Sequence, residues 1–266
     1  MILFRVQQKN FRTPVVDVCA DLHGRMILLL ASLAYCAIRD PRVIVIPTVY
    51  ALTACAFDAA SRANWRPDLR IHATMPPPSH VVRRVLSLFL VQCALDLCST
   101  HVQVTDPQPW TVYTVMRSFA HLFMAAVVLD TYQYWAHRVV HAIPVLYARV
   151  HRHHHTLRTP TAWGALYNSF LECVFVDVLS FYVAQTAANL TPNEALLLGT
   201  IATVKTVSDH SGYVIFGTAN DAAYHAAHHA LGSGNFEQPF FTFWDDAMGT
   251  RLPRRHELGN QRALQK

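Results

Sequence analysis

HRHHHTLRTPTAWGALYN, residues 151–168, places four histidines in five positions and then turns apolar. Metal binding is one reason for a chain to set His151, His153, His154 and His155 against a segment that reads like a lipid-facing helix. Outward from this stretch the pattern repeats. HRVVH puts His137 and His141 at i, i+4, while HRHHH and HAAHH put His151, His154, His155 and His225, His228, His229 at i, i+3, i+4. On a helix these spacings stack side chains on one face with Cβ atoms about 5–6 Å apart, and two imidazoles so placed can share a metal at about 2.0–2.1 Å. With His at 16 of 266 positions, a given HxxHH pattern arises on the order of 0.06 times in a scattered chain. It occurs twice.

Eight aligned histidines exceed what one tetrahedral ion takes and suit two metal ions. A nearly all-imidazole set excludes magnesium and calcium and leaves iron, zinc, copper or nickel. The hydrolytic HExxH pattern is absent, as are GxSxG, a P-loop and GxGxxG followed by a helix. Beside lipid-facing helices, oxidation of an acyl chain is the natural inference, because an unactivated methylene needs a strong oxidant, which two irons with dioxygen can make. His23, His72, His80, His101, His121 and His256 read as surface or satisfied core residues. His153, off the repeated register, reads as a non-ligand. Asp130 and Asp209 read equally well as acceptors for imidazole N–H groups or as solvated helix-end charges.

The remaining composition points to a membrane. Hydrophobic residues make up 52% and charged residues 15%, against about 45–50% and about 25% in soluble domains. The formal charge of +5 suits anionic headgroups or an acidic protein. Nucleic acid is not expected, since the arginines flank apolar segments and line no reading helix. The six cysteines form no CxxC pair and read as reduced core residues. MILFRVQQKNFRTP at the start has no continuous apolar run, so no cleaved secretory signal is expected there.

Apolar segments at 26–38 and 43–57, split by RDPR, predict a helical hairpin. A linker at 58–84, rich in Arg and with PPP at 76–78, predicts an extended, solvated connection. Further helices are expected at 85–104, from Trp110 through His141, and at 166–188 and 195–207, the last two broken by NLTPNE. Four spans before residue 130 and one hairpin at 166–207 return every Arg-rich stretch to one side, which the positive-inside rule makes cytoplasmic. Lys205 and Arg117, inside apolar segments, are the main objection to this topology, though near a helix end such a side chain can snorkel. The aromatic run 240–244 suits an interfacial anchor better than a channel lining. The expected architecture is all-α: a multi-pass membrane helical bundle with a cytosolic histidine-rich helical cap holding a di-metal site. It divides into an N-terminal membrane-hairpin region (1–109), a catalytic domain (110–250) and a tail (251–266).

The three histidine boxes resemble those of the fatty acid hydroxylase and sterol desaturase superfamily of membrane di-iron enzymes. WGALYNSFLE (163–172), TVKTVSDHSGY (203–213), YHAAHH (224–229) and NFEQPFFTFWDDAMGT (235–250) are similar to the sphingoid base C4-hydroxylases within it. The resemblance implies an endoplasmic reticulum membrane enzyme, its site facing the cytosol, that hydroxylates sphinganine, or the sphinganine part of a ceramide, at C4. It implies His137, His141, His151, His154, His155, His210, His225, His228 and His229 as ligands of two irons, with O2 as cosubstrate. Related fatty acyl 2-hydroxylases carry another histidine four residues before the position of His210; Thr206 here argues against that activity. The chain has no haem-binding HPGG and no nucleotide fingerprint, so electrons from NAD(P)H are expected through cytochrome b5 and its reductase, docked on the basic face of Arg138, Arg149, Arg152 and Arg158. Headgroup contacts are an equal use for those arginines. The alternatives are another lipid oxidation, on a sterol C4-methyl group, a sterol ring bond, a fatty acyl chain or a fatty aldehyde, or a non-catalytic metal-binding or metal-transporting membrane protein.

Overall fold

The computed structural model describes residues 41–72, 77–99, 111–215 and 217–252. A 3₁₀ turn at Pro41–Ile44 leads into α1 (Val45–Arg62); α2 (Ser79–Ser99) and α3 (Val112–Ala142) follow. Short turns over residues 144–164 connect to α4 (Phe170–Ala187), which contains a π-helical turn at Cys173–Val178. Then come α5 (Pro192–His210), α6 (Ala222–Leu231) and the short α7 (Phe243–Ala247). The described residues contain no β-strand, only an isolated bridge between Arg70 and Tyr213.

Local chemistry sets the helix ends. Thr111 and Thr114 form a reciprocal capping box at the start of α3, and Thr191 with Glu194 forms another at α5, where Pro192 takes the first turn. That is how NLTPNE breaks the apolar run of 166–207 into two helices. Asp221 Oδ1 accepts from the backbone N–H groups of Ala223 and Tyr224 and starts α6, which Gly232 ends in the left-handed region at φ 65°.

Three helices, Arg42–Arg62, Val112–Ala142 and Phe170–Ala187, are long and apolar enough to cross a bilayer. α2 and α5 have the length but carry more charge, Arg83, Arg84 and Asp96 in one and Glu194, Lys205 and Asp209 in the other. The surface of α3 inverts the pattern of a water-soluble protein: Val112 is 78% exposed and Phe119 70%, with Tyr113, Met116 and Phe123 beside them. On α4, Phe170, Phe175 and Tyr182 also point outward. Such contiguous apolar surface is unstable in water and at home in lipid; this is a membrane protein. The 26–38 arm of the expected hairpin lies outside the described residues; its 43–57 arm is α1.

Two interior clusters hold the bundle. One joins Tyr50 and Ala54 of α1, Val81, Val85 and Phe89 of α2, the 162–167 segment and Val207 of α5. The other joins Ala125 and Leu129 of α3, Ala184 of α4 and Ala195 and Leu198 of α5. Small residues let the backbones approach, as packing in lipid requires.

The 58–84 linker departs from the expectation of an extended solvated strand. α1 continues to Arg62, α2 already starts at Ser79, and the chain between them is stitched to the turn after α5 by Ile71 N–H to Gly212 O and Val214 N–H to Leu69 O, both 2.9 Å. Main-chain pairing and the Tyr213 ring, in contact with Phe57, Trp65 and Arg70, outweigh the solvation of the arginines. Gly212, at φ 78°, lies so close to the buried His72 ring that any side chain there would collide with it.

Candidate metal centre

The nine histidines converge. Those of the first box stand a turn apart at the end of α3. The second box is not on an α-helix: the chain winds as a π-helix over Tyr147–His151 and as a 3₁₀ turn over His154–Thr156. That irregular turn sends neighbouring histidines in different directions. His151 and His155 join His137, His141 and His228 in one group, while His154 joins His210, His225 and His229 in another. On α6 the third box divides likewise, with His228 turned to the first group and His225 and His229, at i, i+4, to the second. Within each group the ligand atoms lie within 4.8 Å of one another.

The hydrogens on these rings decide what the groups fit. His137 Nδ1 lies 2.8 Å from Phe236 O, His228 Nδ1 2.8 Å from Gly234 O and His210 Nδ1 2.8 Å from Thr206 O. A ring nitrogen facing a carbonyl oxygen carries the hydrogen, so the Nε2 of each neutral ring bears a bare lone pair. His151 reaches the same state through Glu172, whose Oε1 is 2.5 Å from its Nδ1. Yet the Nε2 atoms face one another: 2.9 Å between His137 and His151, 3.1 Å between His228 and His155, and 2.8 Å between His210 and His225. Between His137 and His151, where both Nδ1 atoms carry the hydrogen, two bare lone pairs at that separation repel unless a cation lies between them. Two nitrogens at right angles on one ion, each at 2.1 Å, stand about 3 Å apart. The donor set therefore fits metal ions, one for each group.

Burial keeps the rings in the ligating form. The imidazoles of His151, His154, His225, His228 and His229 are held far below their ordinary pKa by desolvation and then by one another, and burial brings His155 down to about 3. They are neutral at physiological pH, as metal binding requires.

Two features that sequence reasoning missed hold the rings in place. Glu172, buried at the start of α4 and capped there by Ser169, fixes the tautomer of His151. Glu172→Gln keeps the shape and removes the charge. It is expected to lower metal affinity or turnover by about 10–100-fold, read as metal content and rate of the purified variant beside the parent. The second feature is the 235–252 segment. Buried Asp245 accepts from the N–H groups of Phe236 and Glu237, from Thr250 Oγ1 and from Tyr224 O–H, while Asn235 ties Tyr224 O to Leu252 N–H. This staple aims the carbonyls of Gly234 and Phe236 at His228 and His137. The phrase 235–250 is visible in the sequence, but the role of Asp245 in it emerges only when the fold brings Tyr224 to its carboxylate.

Other expectations are corrected. Asp130 serves no imidazole and is not solvated; buried, it accepts from Phe240 N–H and Phe241 N–H. Asp209 pairs with Lys205 Nζ at 2.5 Å, and Lys205 also donates to Asn220 O at 2.7 Å. Lys205 therefore ends in a buried ion pair instead of snorkelling. His153 stands outside both groups against the Tyr167 ring, with centroids 4.2 Å apart. His72, His80 and His121 join neither group, and His23, His101 and His256 lie outside the described residues.

A cavity of about 810 Å³ opens from the imidazoles, lined by His137, His151, His154, His210 and His225. Its wall includes residues 192, 195, 196, 199, 202, 203, 206 and 210 of α5, one face of that helix from end to end. At 1.5 Å per residue this face is about 27 Å long, enough to lie beside an extended lipid chain. None of residues 240–244 lines it: Phe243 is exposed and Trp244 stacks on Tyr134.

Buried imidazole groups at one end of an elongated cavity between apolar helices define a membrane protein with a centre able to hold metal ions. Comparison with known proteins narrows the class. The model of the family described as fatty acid hydroxylase matches residues 122–250. Sphingolipid C4-hydroxylase sur2 of Schizosaccharomyces pombe is 40% identical over 164 residues, 59% of this chain and 56% of that protein. Sphinganine C4-monooxygenase 2 of Arabidopsis thaliana is 34% identical over 185 residues, 66% of this chain and 71% of the relative. Very-long-chain aldehyde decarbonylase GL1-9 of Oryza sativa subsp. indica is 36% identical over 198 residues, 67% and 74% of the two chains. The chain thus spans little more than half the length of the fission yeast relative. No solved structure matches it. The chain belongs to the fatty acid hydroxylase family.

Proposed function

We propose that the protein hydroxylates sphinganine, or the sphinganine part of a ceramide, at C4 to give bases of the phytosphingosine type. The observation that carries this reading is the pair of imidazole groups at the end of a cavity as long as a lipid chain, in a chain 34–40% identical to proteins named for that reaction. The nine histidines would hold two irons, five imidazoles at one and four at the other. With dioxygen and two electrons, the bound irons supply an oxidant able to take hydrogen from an unactivated methylene carbon; one oxygen atom enters the product and the other leaves as water.

The chain's own residues do the rest. The carbonyls of Gly234, Phe236 and Thr206 and the carboxylate of Glu172 hold the proton on Nδ1 and so leave Nε2 free to ligate. The apolar face of α5 aligns the alkyl tail and keeps water from the reacting carbon.

Two electrons come from NAD(P)H through cytochrome b5 and its reductase, on the cytosolic face of the endoplasmic reticulum membrane. Arg149, Arg152 and Arg158 are exposed and suit an acidic donor. Arg138 instead donates to Tyr134 Oη at 2.9 Å and lies over the Tyr134 and Trp135 rings. Charge reversal at Arg149 and Arg152 together is expected to raise the apparent KM for cytochrome b5 with little change in that for lipid; an unchanged value discards the docking face.

A second reading, oxidation of a different lipid, draws on the 36% identity to a protein named an aldehyde decarbonylase. Lipid analysis after expression in cells lacking C4-hydroxylase separates the two. Appearance of 4-hydroxysphinganine is the expected result. Its absence, with the protein present in the membrane and loaded with metal, overturns the proposal.

A further inference from the structure

Asp177 lies in the π-helical turn of α4, five residues beyond Glu172, and lines the same cavity as His137, His151 and His154. Its Oδ2 accepts from Asn168 Nδ2 at 2.8 Å. Ser180 Oγ donates to the backbone carbonyl of Asp177 at 2.9 Å and takes Gln133 Nε2 at 3.0 Å, which fixes the turn. Among the described residues no Lys, Arg or His forms an ion pair with this carboxylate. Arg84, which reaches this part of the fold, gives its Nε to Asn168 O at 3.0 Å. Glu172, the neighbouring acid, is already engaged by His151.

A carboxylate in the wall of a cavity between apolar helices is costly without a cation, and ionisable groups at such depth mark ligand paths. Arg42 also lines the cavity but forms no ion pair with Asp177 among the described residues, so a ligand that enters can supply the cation. We propose that Asp177 is the counter-ion for the ammonium group of a free long-chain base, so that the protein favours free sphinganine over N-acylated substrate; this rests on the substrate class proposed above.

The placement agrees with the chemistry of the molecule. Asn168 joins Asp177 to the second imidazole group, since its buried side chain bonds the carboxylate and lies beside His154. The carboxylate is thus one side chain away from a metal-holding ring. In a long-chain base the ammonium sits on C2, two carbons from C4. Anchoring it at Asp177 puts C4 beside the imidazoles and sends the tail along the face of α5 towards Pro192. An N-acyl derivative replaces the ammonium by a neutral amide and leaves the carboxylate unpaired, the kind of mismatch on which buried polar sites discriminate most strongly.

The test compares the parent protein with Asp177→Asn, which keeps an acceptor for Asn168, and Asp177→Glu, which keeps the charge. Each is supplied with iron, its electron donor and oxygen, and given sphinganine or N-acetylsphinganine. The parent is expected to prefer the free base by at least about tenfold in kcat/KM, and Asp177→Asn to lose at least about tenfold on sphinganine through KM. Asp177→Asn should turn over the acetylated compound like the parent, and Asp177→Glu should keep the preference. Equal losses on both substrates, or none, overturn the assignment.

A second measurement needs no turnover. Octadecylamine should raise the melting temperature of the parent more than octadecanol does, and the amine-specific increment should vanish in Asp177→Asn; an increment that persists overturns the pairing. If the parent hydroxylates neither substrate but shows the amine-specific shift, the proposed reaction falls while the pairing stands. If sphinganine is hydroxylated and the substrate ratio does not move in Asp177→Asn, only the pairing falls.

Discussion

His154→Ala and His228→Ala are each expected to abolish product formation, and each to remove a different metal ion. The two rings belong to different groups, His228 with four partners and His154 with three. Losing a ligand should cost more than the roughly 10–100-fold that losing a ligand's hydrogen-bond partner costs. Product should therefore fall at least about a hundredfold in both variants. Metal content should drop by one ion per chain, with His154, His210, His225 and His229 still holding theirs in His228→Ala and His137, His141, His151, His155 and His228 theirs in His154→Ala. Alanine suits the helical position of His228, so protein level and membrane insertion persist. Metal analysis of the purified variants, beside product assay in membranes, checks this. Retention of both ions by either variant contradicts the division into two groups.

Lys205→Met produces the largest expected loss of stability. Lys205 and Asp209 are paired at 2.5 Å with side chains 13% and 4% exposed. Removing the lysine leaves the carboxylate buried beside His210 and leaves Asn220 O with Thr218 Oγ1 as its donor. Breaking one half of such a buried pair costs about 3–5 kcal/mol, whereas replacing both halves by apolar groups is close to neutral. Denaturation in micelles should therefore show Lys205→Met strongly destabilised and Lys205→Met with Asp209→Leu largely restored. Equal destabilisation of the single and double variants would show that packing, not an orphaned charge, is responsible.

Eight of the nine clustered histidines were legible in the sequence because histidines at i, i+3, i+4 leave a local signature, while His210 came only from the resemblance of 203–213. The helix ends were legible too, since NLTPNE contains its own capping box. How the nine divide between two groups was not, because it depends on a π-helical turn at 147–151 that turns His154 away from His151 and His155. The Lys205–Asp209 pair looked like an intruder in an apolar run for a related reason. Its partner loop at Asn220 arrives only through the tertiary fold. Glu172 and Asp245 lie within the family-like phrases 163–172 and 235–250, but their roles as orienting acceptors follow from neighbours that the fold brings to them. The linker at 58–84 was misread because composition reports solvation and says nothing of a main chain stitched to Gly212.

Two sets of imidazoles, five and four, would each hold one ion at the head of the cavity. Anaerobic titration of the metal-free protein with ferrous iron, followed by metal analysis after removal of excess, tests this most directly. Two tightly held irons per chain, with lipid-dependent oxygen uptake once electrons are supplied, is the predicted result. Saturation at one iron, or no oxygen uptake by the fully loaded and folded protein, would contradict it.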